Sequence, residues 1–569
     1  MRRDIQLSAV GQGIGVFLIY AAVIAVLTVP LAFDPAGFTP SGIDSGATPW
    51  KIWWTAKAVF DQHSFPYWCD YLQQPYGITL LFYNPCVLYG FLSLPALAIS
   101  RSPALIQGIA NFWVLFTFPL ASSFAYLLCR RYAIGRPAAL LGGSLFGFSP
   151  LRLSSLSSLN LLSTYWLPLF FLFALPRVAG SIPPMRRGLL MGACILGAFL
   201  SSLTAWLLLL FCSLILIVDS LPLFRKNSAE EWRKSAASWP IAAIPMALWC
   251  GLIWALSPSG VFSSECFARP TDAIIERLSS HVIDWVSRSE NDHLARYTLG
   301  WGPMFLAILG LLSRRRPSLP GVFKILLVLS LLLSLGPRMR LGSSEDSFSL
   351  PGPFLLFRHL GPPLSFFRTP HRFLHLVSLI IALGAAQGIH TLMLARKESI
   401  LPWKRRALTA LTAAAFLLPL AEFGTTPVII EKREPEPAME WIRNHAESDD
   451  EGVLILPGFN YEDRAEQRFA QVTHDHPSPL VPLPRAKFRA APPDRGNTLL
   501  GFVVNGRDDL ALGGQSPDKL RSIGIVWVVV SESTLSERPR LRSWLEERWT
   551  APVFRDESHR VYRIEEPPF

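Results

Sequence analysis

Two aspartates and a small set of arginines and histidines are the residues whose types and neighbours could do chemistry in this chain. Asp44 stands in GIDSGATPWKIWWTAKAVF, a lone carboxylate in a small-residue loop ahead of a tryptophan-rich, lysine-dotted run. Asp70 stands in SFPYWCDYLQQPYGITLLFYNP, among aromatics and prolines. A carboxylate desolvated by such neighbours gains proton affinity, as a general base requires. Each acid also has a plainer use, Asp44 as a turn cap in a solvated loop and Asp70 as a hydrogen-bond acceptor that stabilises the fold. Arg358, Arg368 and Arg372 lie in an aromatic, proline-rich stretch with His359, His371 and His375 beside them. Planar guanidiniums suit a phosphate, and the imidazoles could add donors to it. Snorkelling toward ordinary headgroups would place the same arginines there. Arg152, in SPLR, is a further cation of this kind.

The elements that must hold these residues belong to a membrane protein. The chain has 569 residues, of which 50% are hydrophobic and only 17% charged, outside the range of soluble globular domains. The net charge of +11 raises nucleic acid as a partner, but its distribution argues against it. Residues 1–423 hold 34 Lys+Arg against 18 Asp+Glu, whereas residues 424–569 hold 19 against 24. The excess therefore sits in short loops, where it reports orientation rather than a polyanionic ligand.

Placing the basic clusters (Arg2 and Arg3, CRRYAIGR, PMRRG, FRKNSAEEWRK, SRRRP, ARKESILPWKRR) in the cytoplasm gives a consistent topology. About eleven spans are expected, near 7–31, 104–128, 137–150, 159–176, 188–202, 205–221, 238–257, 299–313, 320–336, 373–394 and 406–423. The first is too long for a signal-peptide core and is expected to remain in the mature protein. A cytoplasmic N-terminus then puts three polar or aromatic loops outside, at 32–103, 257–298 and 337–372, together with everything after residue 423. The apolar piece 84–100 reads as a juxtamembrane or re-entrant helix. Thr48 followed by Pro49 predicts a helix start. The following residues, Trp50, Trp53, Trp54 and Lys57, suggest an amphipathic helix lying along the outer surface with its tryptophans at headgroup level.

Residues 424–569 open with the charged linker EKREPEPAMEWIRNH and read as a small extracytoplasmic α/β domain. EGVLILPGF and IGIVWVVVSES are its strands, LRSWLEERW an amphipathic helix and APVFRDESHRVYRIEE a terminal hairpin. Its THDHP stretch (His474, Asp475, His476) resembles a metal-ligand cluster, but histidines two apart in a proline-rich loop read as a surface feature. The seven cysteines form no CxxC or Cys/His spacing, so no zinc site is expected. Cys69 and Cys86 fall on the oxidising side, where a bridge and two free thiols are both open.

A first span, a long outer loop with an early aspartate, juxtamembrane helices, many further spans and an outer C-terminal domain together resemble the GT-C superfamily of integral-membrane glycosyltransferases. The segments NFWVLFTFPLASSFAYLLCRRY, LLGGSLFGFSPLRLSSLSSLNLLSTYWLPLFFL and SFFRTPHRFLHLVSLIIALGAAQG carry the likeness. It covers nearly the whole chain diffusely and is nearest to bacterial members that use a polyprenyl-phosphate sugar. The resemblance implies a mainly α, polytopic bundle in the cytoplasmic (inner) membrane and an inverting hexosyl- or pentosyltransferase acting on its outer face. The acceptor would be a protein, a lipid or a cell-envelope glycan. Asp44 corresponds to the first-loop acid such enzymes use near the acceptor or a metal. Here Ser45 follows it, where a second acid is common. A divalent cation, Mg2+ or Mn2+, would therefore need other oxygen ligands, for which Asp70, Glu265 and Asp272 are available. Arg368, Arg372, Arg358 and His371 would take the donor phosphate. The rival reading is a non-catalytic, flippase-like protein handling lipid-linked glycans, which predicts charges inside the spans and repeat symmetry between halves. The sequence shows neither.

Overall fold

The computed structural model describes residues 2–42, 44–72, 78–81, 86–175, 182–220, 229–256, 275–276, 278–280, 285, 299–313, 319–340, 349–359, 367–424, 428–433, 436–448, 451–456, 470–477, 521, 525–537, 539–548 and 551–564. They form two compact units, one of Met1–Phe33, Phe112–Ala255 and Phe267–Ile429, the other of Asp34–Asn111, Leu256–Cys266 and Ile430–Phe569.

The first unit is helical. Every apolar segment expected from the sequence carries a helix, among them Arg2–Leu27, Arg136–Gly147, Pro184–Ser201, Leu203–Ser220, Trp301–Leu312, Gly321–Ser334 and Leu374–Glu398. Among the described residues three helical stretches are long and apolar enough to cross a bilayer, Pro103–Arg131, Ala236–Ala255 and Pro370–Glu398, while further apolar stretches such as Gln12–Leu27, Leu203–Asp219 and Gly321–Ser334 are shorter. Close backbone approach organises the packing of Leu374–Glu398 against Trp301–Leu312. A Cβ on Gly310 would lie 1.9 Å from the Gly384 carbonyl oxygen, so only glycine fits where these two helices touch.

Arg152 turns out to be part of this framework. Ser149 and Pro150 start the short helix Pro150–Leu153, and the Arg152 side chain is fully buried. Its guanidinium donates to the carbonyls of Gly147 at 3.2 Å, Leu162 at 2.8 Å and Thr117 at 3.2 Å, and to Thr164 Oγ1 at 2.7 Å. It also lies over the rings of Phe118 and Phe146. The cation satisfies carbonyls at two helix ends, Gly147 and Leu162, and one inside helix Pro103–Arg131, so its donors are spent on the fold.

The second unit joins distant parts of the chain. Phe38–Pro40 pairs antiparallel with Ile430–Lys432, Phe38 opposite Lys432. Asn111 Nδ2 donates to the carbonyls of Pro35 at 2.7 Å and Phe38 at 2.8 Å, fixing the start of this ribbon. A four-stranded sheet follows, in which Gly452–Leu456 runs parallel to Ile525–Ser531, and Ile525–Ser531 pairs antiparallel with His559–Arg563. Helix Pro437–His445 covers it through Ala438, Met439 and Ile442, packed with Val453, Trp527, Val529 and Val561. The terminal hairpin expected at the end of the chain is present, Phe554–Arg555 pairing with His559–Arg563.

The tryptophan helix departs from expectation. It runs Ala47–Phe60 with Gly46 as its N-cap, two residues earlier than the cap that Thr48 suggested. Trp50, Trp53, Trp54 and Lys57 are all buried, so it is an internal element of this unit rather than a helix lying on the membrane. The reason is polar: each indole N–H finds a protein acceptor. Trp50 donates to Gln471 Oε1 at 2.7 Å, Trp53 to Asp475 Oδ1 at 3.1 Å and Trp54 to the Pro66 carbonyl at 3.2 Å. THDHP is corrected with it, because His474 and His476 are buried, the N–H of His476 donating to His474 Nδ1 at 3.0 Å.

Candidate functional site

The cationic stretch heads the long apolar segment Pro370–Glu398. Pro370 opens a 3-10 turn, Pro370–Phe373, that runs directly into Leu374–Glu398. Phe354, Phe357, Phe367 and Phe373 pack ring to ring and hold the segment that carries Arg368 and Arg372. Both arginines are half-buried. Arg372 Nη1 donates to Thr204 Oγ1 at 2.7 Å, which ties the guanidinium to the start of helix Leu203–Ser220. His371 and His375, one helical turn apart, are buried. The His371 Nδ1–H donates to the Leu278 carbonyl at 2.7 Å, leaving Nε2 to face other groups. That nitrogen accepts in a neutral ring and donates only in the imidazolium, which narrows the donor role expected of His371. His375 lies within electrostatic reach of Arg152, His371 and Arg372, and its Nδ1 has no hydrogen-bond partner among the described residues.

The structure thus brings Arg368, Arg372, His371 and His375 to one end of one helix. His359 is exposed on the short helix Phe354–His359; the Arg358 side chain lies outside the described residues. Thr204 was not legible beforehand, since a threonine in an apolar run carries no sign of the arginine it will meet.

Asp44 belongs to the other unit and is half-buried. Its turn is closed by the Ser45 N–H donating to the Gly42 carbonyl at 3.0 Å and the Ala47 N–H donating to the Asp44 carbonyl at 3.0 Å. Gly42 has φ 140°, a conformation glycine adopts without strain. The carboxylate stands just ahead of helix Ala47–Phe60, where the helix dipole favours negative charge. Lys51 and Cys86 lie nearby: Lys51 Nζ is 3.8 Å from Cys86 Sγ. Burial pushes the Cys86 thiol up, Lys51 opposes this, and the Asp44 charge adds to it. Cys86 is therefore a protonated neighbour rather than a nucleophile. Cys69 and Cys86 are both buried free thiols, so no bridge joins them.

Asp70 is exposed and accepts a hydrogen bond from Gln62 Nε2 at 2.8 Å. The aromatic residues beside it in sequence do not enclose it, so the burial that would equip it as a base is missing. Glu265 and Asp272 lie outside the described residues. Among the described residues no three His, Cys, Asp or Glu side chains gather as a metal site requires. Asp44 and Ser45 alone are too few oxygen ligands for a divalent ion.

The fold that carries these two clusters is similar to that of solved membrane glycosyltransferases. The arabinofuranosyltransferase AftD from Mycobacteria matches with a TM-score of 0.52 at 17% identity, over 90% of this chain and 35% of that one. A variant of the same enzyme matches at 0.53 and 18%, over 90% and 36%. This chain thus spans 36% of that enzyme's length. ArnT from Cupriavidus metallidurans, bound to undecaprenyl phosphate, has a TM-score of 0.49 at 12% identity, over 97% and 98% of the two chains. At such identities the likeness is one of fold. No protein-family model and no curated protein matches the sequence.

Proposed function

We propose that the chain is a glycosyltransferase that moves a sugar from a polyprenyl-phosphate donor to an acceptor hydroxyl on the outer face of the cytoplasmic membrane. One observation carries this reading: Arg368, Arg372 and two buried histidines are concentrated at the head of a long apolar helix in a chain with the GT-C fold. Guanidiniums held by a threonine and an aromatic wall at the head of a long apolar helix suit a lipid-linked phosphate.

In the proposed reaction the acceptor oxygen attacks the anomeric carbon as the bond from that carbon to the phosphate oxygen breaks. The acceptor proton passes to the Asp44 carboxylate, and the electron pair leaves with the phosphate. Arg372 and Arg368 stabilise the charge that develops on the phosphate. Attack opposite the leaving group inverts the anomeric centre, whether the sugar is a hexose or a pentose. Asp44 is proposed as the base in preference to Asp70, which is exposed.

The test is reconstitution in liposomes with a panel of polyprenyl-phosphate sugars. Asp44→Asn should reduce turnover by about 10²–10⁴-fold and Arg372→Ala by about 10²–10³-fold. Full activity of the asparagine variant would remove Asp44 as the base. Retention of configuration in the product would remove the single displacement.

A further inference from the structure

The unit that contains Ile430–Phe569 has a cleft of about 270 Å³, lined by Trp53, Lys57, Arg101, Arg443, Asp475 and the chain that leaves helix Val87–Leu97. Its chemistry is built around Asp475, which ends the helical turn 470–474 in a left-handed conformation, φ 62°. Trp53 Nε1–H and Lys57 Nζ both donate to Asp475 Oδ1 at 3.1 Å. Lys57 is buried, with its ammonium 5.0 Å from the centre of the Tyr71 ring. Oδ1 is thereby fixed, and Oδ2 takes no hydrogen bond from any described residue. Asp61 holds Arg101 and lies 3.8 Å from Lys57. Three cations therefore face two carboxylates. The surplus charge is Arg443, exposed on the last turn of helix Pro437–His445, with no carboxylate partner among the described residues.

We propose that this cleft binds a small anion bearing hydroxyl groups, such as an acidic or phosphorylated sugar. Arg443 takes the anionic group, Asp475 Oδ2 accepts from a hydroxyl, and Trp53 provides an apolar wall. A neutral sugar leaves the Arg443 charge unmatched. A bare oxyanion such as sulfate leaves Oδ2 without a donor and faces the Asp475 charge. The volume is near the lower end of small-molecule sites, about 300–1,000 Å³, which restricts the ligand to a few rings at most. The same chemistry is found in a free acidic sugar and in a phosphoglycerol lipid headgroup. The site stands apart from the roles given to Asp44 and Arg372.

The experiment is titration calorimetry on the full chain in phosphatidylcholine nanodiscs, with glucuronate, glucose 6-phosphate and glycerol phosphate as probes and glucose and sulfate as controls. Binding of a hexose anion, weakened about tenfold or more by Arg443→Ala and by Asp475→Asn and partly restored by Arg443→Lys, supports the site. Binding of glycerol phosphate alone, with the same variant pattern, supports it with a lipid headgroup as the source. Arg443 is exposed, so its variants report even if Asp475→Asn alters folding, which a thermal melt of each sample monitors. No binding of the three anions at roughly 10 mM would overturn the proposal, as would equal binding of glucose or sulfate. Unchanged affinity in Arg443→Ala would overturn it as well.

Discussion

Trp50 and Gln471, 421 residues apart in the chain, form a buried hydrogen bond of 2.7 Å. Gln471 is completed by its amide nitrogen, which donates to the carbonyls of Tyr71 at 2.9 Å and His476 at 3.1 Å. One amide thus connects the tryptophan helix, the loop after it and the turn that presents Asp475. Replacing Gln471 by alanine leaves a buried indole N–H and two carbonyls without this partner. Each buried group so orphaned costs about 1–3 kcal/mol. The expected result is earlier thermal unfolding and faster proteolysis within 430–569. An unchanged melt would show that the amide is dispensable.

Arg152 should behave as a structural cation. Lysine keeps the charge but lacks the planar fork that reaches Leu162, Thr164 and Thr117 together. Arg152→Lys is expected to destabilise the helical unit by at least about 2 kcal/mol, while the turnover of protein that remains folded stays near wild type. Loss of turnover at unchanged stability would assign Arg152 to the donor phosphate instead.

The contact at Gly310 is expected to admit no larger residue. Gly310→Val would drive a side chain into the Gly384 carbonyl, and overpacking of this kind costs typically about 1–3 kcal/mol or more. Gly13→Ala is the control, since a Cβ there meets nothing within 4 Å. Detergent-stability measurements on the two variants should separate them; equal stability would mean that these helices do not approach as described.

Acid should weaken the second unit in two stages. Burial, with His476 adding, holds His474 well below the ordinary histidine value, and burial also lowers His559. Hydrogen bonding to Arg560, and the charges of Arg560 and Arg555, lower Glu532. In each case the unfolded chain binds protons that the folded chain does not, so stability falls as pH falls. The histidine stage begins as pH drops through about 6.5, and the Glu532 stage as it drops through about 4.3. A melt series against pH should show both. His474→Gln should flatten the first, and a first stage unaltered in that variant would exclude His474 as its source.

The membrane helices and the strands of the C-terminal region were legible because each is carried by a local pattern. Long apolar runs marked Pro103–Arg131 and Pro370–Glu398, and short β-branched runs marked Gly452–Leu456 and Ile525–Ser531. The turn at Asp44 was also legible, from its small residues and Pro49. What escaped is whatever depends on a distant partner. The tryptophans looked interfacial because nothing near them signals Gln471 or Asp475. THDHP looked exposed for the same reason, seen from the other end. Arg152 resembled a loop cation because carbonyl acceptors leave no mark in a sequence. Asp70 looked enclosed because aromatic residues flank it in sequence, yet its own side chain is exposed.

The short pairing of Phe38–Pro40 with Ile430–Lys432 constrains the order of biosynthesis. The first strand leaves the ribosome long before its partner, and every helix between them must be inserted while it waits. The intervening chain must cross the bilayer an even number of times, or the two strands would emerge on opposite sides. Until the C-terminal segment arrives, the three indoles that it and the first loop will bury remain open to other contacts, which makes this interval the period in which the nascent chain is most exposed to misassembly.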